Sequence, residues 1–155
     1  MKITFLRILS IALGGVLLSL ASADASAPSG RYVIGGQAPH QTVLDTRTKL
    51  TWERNSTDQL TAEGAKNRCA ALAATTGGAA WRLPTLKELF TIMDYSVPQT
   101  VPQPRIDTQA FGATPPGTYW TSTPARNSTL PVQCLDIVSS TIGCAGDLAP
   151  SRCVR

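Results

Sequence analysis

The chain is poor in the residues that metal and nucleophilic sites are built from. Its single histidine is His40, and no C-x-x-C pair occurs, so a zinc centre is not expected. Ser/His/Asp catalysis would have to use His40, which sits in the polar segment Pro39-His40-Gln41 and reads as a solvated loop residue. Paired carboxylates are missing too: Asp94, Asp107 and Asp136 are scattered, and Glu88 is taken up by a helix cap. No Lys/Arg block or basic helix is present, which excludes the usual footprint of a nucleic-acid partner. There is no internal repeat, collagen-like or otherwise. These absences predict a protein that is not an enzyme and carries no cofactor or metal.

Long apolar runs are also missing, with one exception at the start. Lys2 and Arg7 precede the 13-residue run Ile8 to Leu20, too short to span a bilayer comfortably and right for the core of a secretory signal. Ala21-Ser22-Ala23 offers a cleavage site, with Ala25-Ser26-Ala27 as the alternative. No cysteine lies near it, so a lipid anchor is not indicated. Residues 1–23 are therefore expected to be a signal peptide, 24–41 an N-terminal segment and 42–155 the folded domain. The product would be periplasmic or secreted, with no membrane span after cleavage.

Cleavage leaves 132 residues (155 minus 23), enough for one domain with a real core. Losing Lys2 and Arg7 leaves 12 basic against 10 acidic residues, a net charge of about +2. All four cysteines, Cys69, Cys134, Cys144 and Cys153, fall in this part. An even number in an exported chain points to two disulfides, with three pairings open.

The strongest local signal is Trp81-Arg82-Leu83-Pro84-Thr85-Leu86-Lys87-Glu88-Leu89-Phe90. Pro84 pushes Leu83 to an extended conformation, so no helix runs through from upstream. Thr85 with Glu88 makes a T-x-x-E capping box. Leu86, Leu89, Phe90 and Met93 then share one face of a helix expected over 85–95. Arg82, between two large apolar residues, needs a carboxylate partner if buried.

Upstream, Arg31 to Ile34 reads as a short strand, and Val43-Leu44-Asp45 and Leu50-Thr51-Trp52 as a hairpin about Thr46-Arg47-Thr48-Lys49. Thr61 caps a helix with Ala62, Ala65, Cys69 and Leu72 on one face, stopped by Gly77-Gly78. Ser96 to Gly117 is proline-rich and irregular, pinned by Ile106-Asp107 and Ala110-Phe111. Tyr119 to Thr123 is a strand with Thr hydroxyls on one side and Trp120 on the other. Val132 to Val138 and Ser151 to Arg155 complete the strands. The expected class is α+β: a helix pair packed on short antiparallel strands, the N-terminal hairpin joining their sheet.

Val43-Leu44-Asp45, Leu50-Thr51-Trp52, Cys69, Trp81-Arg82-Leu83-Pro84-Thr85 with Glu88, Tyr119-Trp120-Thr121-Ser122-Thr123 and Arg152-Cys153-Val154-Arg155 occur in an order that resembles the Lcl C-terminal domain family. That family is named for the end domain of a bacterial collagen-like adhesin. The resemblance covers about residues 42–155 and implies a fold related to C-type lectin-like and formylglycine-generating-enzyme domains. It further implies a Cys69–Cys153 disulfide, which leaves Cys134 with Cys144. In the chain-entropy picture the long link stabilises by about 4 kcal/mol. With all four cysteines paired, formylglycine-type chemistry has no thiol to use.

Two departures from the family pattern stand out. Lys49 occupies a turn position where glycine is frequent, a cost of about 1 kcal/mol if the backbone there is left-handed. The late strand carries Val132-Gln133-Cys134 where a Trp is usual. Calcium-dependent sugar binding is not supported either, because Gln103-Pro104-Arg105 puts a cation where a carboxylate is required.

The functional expectation is a non-catalytic binding module for a glycan or cell-surface polymer. The adhesin relative suggests an anionic polysaccharide, met by Arg47, Lys49 and Arg54 around the hairpin with Arg105 and Arg126 in loops. At about +2 net such binding is weak and salt-sensitive. The alternative is a structural or protein-interaction domain of the bacterial envelope. Asn55-Ser56-Thr57 and Asn127-Ser128-Thr129 match a glycosylation string and read as coincidental polar loops.

Overall fold

A computed structural model describes residues 27–76, 80–96, 102–126 and 128–155. The expected signal peptide, the Gly77-Gly78 helix stop, Pro98 and Asn127 lie outside the described residues.

The first half opens with a three-stranded antiparallel sheet, β1 (Tyr32–Gly35), β2 (Thr42–Asp45) and β3 (Thr51–Glu53), in the order β1-β2-β3. Alternation decides which side is core: Val43 and Asp45 are buried while Leu44 between them is exposed. Val43 faces the fully buried Trp52 across the hairpin. Asp45 survives in the interior because Arg31 donates to both its oxygens, at 3.4 and 3.1 Å, and the Arg47 N–H adds a third bond at 2.9 Å. Burial alone would raise this carboxyl's pKa, but these bonds outweigh it and hold the carboxyl below its ordinary value. In the turn, Lys49 has φ +64° and donates its N–H to the Asp45 carbonyl at 2.8 Å.

Helix α1 (Ala62–Thr76) begins where the Thr61 hydroxyl accepts the Gly64 N–H, and it buries Ala65 and Cys69. Helix α2 (Leu86–Thr91) has the full reciprocal box between Thr85 and Glu88. It is shorter than the expected 85–95. Ile92 and Met93 turn back with bonds to Leu89 and Phe90, three residues behind, and the Asp94 N–H is drawn off to the Arg105 carbonyl at 2.7 Å. Both residues still reach the core.

The helices do not act as a packed pair; each serves its own core. Leu89 joins Val43, Trp52, Ile106, Phe111, Tyr119 and Leu135 in one cluster. Ala65 and Cys69 join Trp81, Leu83, Trp120, Cys134 and Cys153 in another. Ile106, Ala110 and Phe111 pin the long segment as expected.

Strands β4 (Thr118–Pro124) and β5 (Val132–Asp136) form a separate two-stranded ribbon. The N-terminal hairpin does not join it. The two sheets are bridged by residues 149–155, which pair backbone groups with Leu60, Thr51, Glu53, Arg82 and Trp120. This C-terminal stretch was expected as a strand; it is extended, but it pairs through isolated bridges because its partners change every residue or two. In β4 the simple alternation also fails. Trp120 and Thr121 are both buried across a register irregularity, and Thr121 donates its hydroxyl to the Gln133 carbonyl at 2.8 Å.

Cys69 bonds to Cys153 across 84 residues and Cys134 to Cys144 across 10, leaving no free thiol among the described residues.

Candidate functional site

The Trp81–Thr85 stretch is a junction between the two halves. Trp81 and Leu83 are buried, and the Trp81 indole N–H donates to Thr76 at 2.7 Å while the Arg155 guanidinium lies 4.8 Å from its ring centroid. Arg82 exchanges backbone bonds with Val154 at 3.0 and 2.9 Å. Pro84 accepts the Ser122 N–H at 2.7 Å, and Trp120 donates its indole N–H to Leu60. The Arg82 side chain is not buried between its neighbours; it emerges half-exposed and grips Glu88 with two bonds. The Arg82 bond is the main reason the Glu88 carboxyl is held down to about 2, with the Thr85 N–H and hydroxyl adding to it.

Beside this junction lies an open cleft of about 520 Å³. Leu83, Pro131, Val132 and Ala62 give it an aliphatic floor, and Glu63, Lys66 and Asn67 rise from one face of α1 at spacings of three and four. Their polar ends, and the Ser122 hydroxyl across from them, make no hydrogen bond or ion pair among the described residues. Arg82 reaches the rim already neutralised by Glu88. None of these described lining residues is aromatic.

Only three of the five cations named from the sequence are exposed. Arg47 and Lys49 are exposed on the hairpin turn, and Arg126 is exposed in the loop after β4. Arg54 is committed to the fold: it donates to the Ala110 and Gln109 carbonyls at 3.1 Å each and to Gln41 at 2.8 Å. Arg105 is a correction to the surface-loop expectation. It is only 7% exposed, because its backbone is clamped between Asp94 and Ile137. Among the described residues its guanidinium has one bond, to Ser140 at 3.3 Å, and its Nε has no partner.

Other polar clusters hold the chain together. Arg68 pairs with Glu53 and Asp58, and Asp58 also accepts from the Ser151 N–H at 2.7 Å. Arg152, 1% exposed, donates to the Glu53 and Arg54 carbonyls, the Ala113 carbonyl and the Thr114 hydroxyl. Among the described residues no group of three His, Cys, Asp or Glu is placed to hold a metal ion. His40 is exposed. Glu63, Lys66 and Asn67 carry no site signature in the sequence, and Ser122 is marked there only as part of a strand. The available signal was a polar i, i+3, i+4 set opposite Ala65 and Cys69, which looks the same as any solvated helix face.

These features define a disulfide-stapled α+β domain with an open, mixed polar and aliphatic cleft. A profile of the Lcl C-terminal domain family matches residues 41–155, and the chain belongs to that family. No curated protein and no solved structure matches it. No helix among the described residues is long and apolar enough to cross a membrane.

Proposed function

We propose that the chain is an exported, non-catalytic binding module for a glycan or another cell-surface polymer, built on a fold related to the C-type lectin-like domains. The observation that carries this reading is the 520 Å³ cleft, in which uncommitted polar side chains of α1 and β4 overhang an aliphatic floor. Its size suits a ligand site, and its chemistry suits a partner rich in hydroxyl and amide groups. Two disulfides fit an oxidising compartment, as does the signal-like pattern of residues 1–23. A dense basic patch has less support, since Arg54 and Arg105 are spent inside the fold.

A glycan array of neutral, carboxylated and sulfated polysaccharides, probed with the oxidised protein at low and physiological salt, tests the reading. Saturable binding to one class supports it; a folded, fully oxidised protein that binds none rejects it. In that event the second reading gains, a protein-interaction domain. Val33 and Ile34, 50% and 45% exposed on the edge strand β1, favour it, with Leu44 37% exposed on the neighbouring β2.

A further inference from the structure

The cleft beside Arg82 has a neighbour. A second hollow of about 340 Å³ shares Val132 with it and is lined by Arg126, Thr129, Gln133 and Ile142, among others. The two hollows share a subset of groups, with Glu63 and Arg82 of the first having no counterpart in the second. The first has a cation in Lys66, an amide in Asn67, a hydroxyl in Ser122 and an aliphatic floor in Leu83. The second has Arg126, Gln133, Thr129 and Ile142 in the same chemical roles. None of these six polar side chains is engaged by another described residue.

We propose that the two hollows form one groove across the end of the β4–β5 ribbon, and that it holds a linear N-acetylated glycan with a carboxylate on alternate sugars. This rests on the glycan reading and specifies its ligand. A duplicated set of groups fits a ligand with a repeat. Each side-chain amide offers both a donor and an acceptor, as an acetamido group requires, and the aliphatic floor takes its methyl. The described lining of both hollows lacks an aromatic ring on which a bare pyranose face would stack. Charge sets the rest. Lys66 and Arg126 against Glu63 leave one net positive charge, because Glu88 cancels Arg82. A single net positive charge over the groove matches sparse carboxylates and not the dense charge of a sulfated chain. Arg47 and Lys49 line neither hollow.

Two natural chains share this chemistry: hyaluronan, and peptide-free peptidoglycan strands, whose lactyl groups supply the carboxylate. Titration calorimetry of the oxidised protein with oligosaccharides of each tests the proposal. Chito-oligosaccharide, de-N-acetylated hyaluronan and dextran sulfate serve as comparison ligands. At least one of the first two should bind tenfold or more tighter than every comparison ligand, and which one identifies the source. Lys66→Ala with Arg126→Ala should weaken that binding at least tenfold, and Arg47→Ala with Lys49→Ala less than twofold. All four side chains are exposed, so both double variants should fold. Preference for dextran sulfate, or a loss confined to the hairpin variant, overturns the groove assignment while leaving a glycan module. Absence of binding to any glycan overturns both.

Discussion

The guanidinium of Arg82 and the carboxylate of Glu88 meet through two hydrogen bonds of 2.8 and 2.7 Å, and the same carboxylate accepts the Thr85 N–H at 2.7 Å. One side chain thus closes the capping box of α2 and ties the incoming strand to it. The carboxyl is held at about 2 against an ordinary 4.5. A depressed pKa contributes stability that is complete above the unfolded value and is lost as pH falls through the folded one. Stability should therefore decline between about pH 5 and pH 2. Glu88→Gln keeps an N3 amide for the cap but removes the charge. Its cost at neutral pH should be about 1 kcal/mol, modest because the pair is half in solvent. Denaturant midpoints measured from pH 2 to 7 should show a shallower acid slope in the variant than in the parent.

Lys49 sits at φ +64°, in the left-handed region that side chains with a Cβ resist. Its own side chain is exposed, so replacing it disturbs no core. Lys49→Gly should stabilise the oxidised protein by up to about 1 kcal/mol, partly offset by the greater freedom of glycine in the unfolded chain. Lys49→Ala should give no gain. Equal urea midpoints for the Gly and Ala variants would mean the turn carries no strain.

What could be read in advance was local. The cap at Thr85 and Glu88 and the hairpin about Lys49 are specified by residues within four positions of each other. What could not be read was set by distant partners. The C-terminal segment is extended, yet it finds a new partner at almost every residue, so its sequence does not distinguish it from an ordinary strand. Arg105 looked like a loop cation and is buried because Asp94 and Ile137 clamp its backbone. The cleft on α1 escaped because Glu63, Lys66 and Asn67 resemble any solvated helix face until Pro131 and Val132 arrive opposite them.

The two disulfides should differ in weight. Cys69–Cys153 closes a span of 84 residues and ties α1 to the C-terminal segment, whereas Cys134–Cys144 spans 10 within one hairpin-like loop. Chain entropy alone gives roughly 4.5 kcal/mol for the first and roughly 2.5 for the second. Cys69→Ala with Cys153→Ala should therefore lower the melting temperature more than Cys134→Ala with Cys144→Ala. A larger loss from the shorter link would show that local packing at Cys134, and not loop closure, dominates.

Arg152 carries its guanidinium into the interior and should be costly to replace. Its guanidinium is fully inside the protein, 5.2 Å from the Phe111 ring centroid, and among the described residues no carboxylate lies within ion-pair distance of it. Burial pushes its pKa down, with Tyr119 the largest opposing influence. The charge is tolerated because it is spread over a planar fork. One nitrogen serves the Glu53 and Arg54 carbonyls at 2.8 and 2.6 Å, and the other serves Thr114 at 2.7 Å. These acceptors come from the end of β3 and from the long segment before β4, so one residue near the C-terminus reinforces a junction that Arg54, Asn55 and Ser56 also make with residues 109–113. Arg152→Met would fill similar space but take from the Glu53 and Arg54 carbonyls the donor they have here, at about 1–3 kcal/mol each. Arg152→Lys keeps the charge but, as a single point donor, cannot span both sides. Both variants should lose about 3–5 kcal/mol by urea denaturation of the oxidised protein, with lysine recovering little of it. A methionine variant within 1 kcal/mol of the parent would mean that the two stretches are held together without this fork.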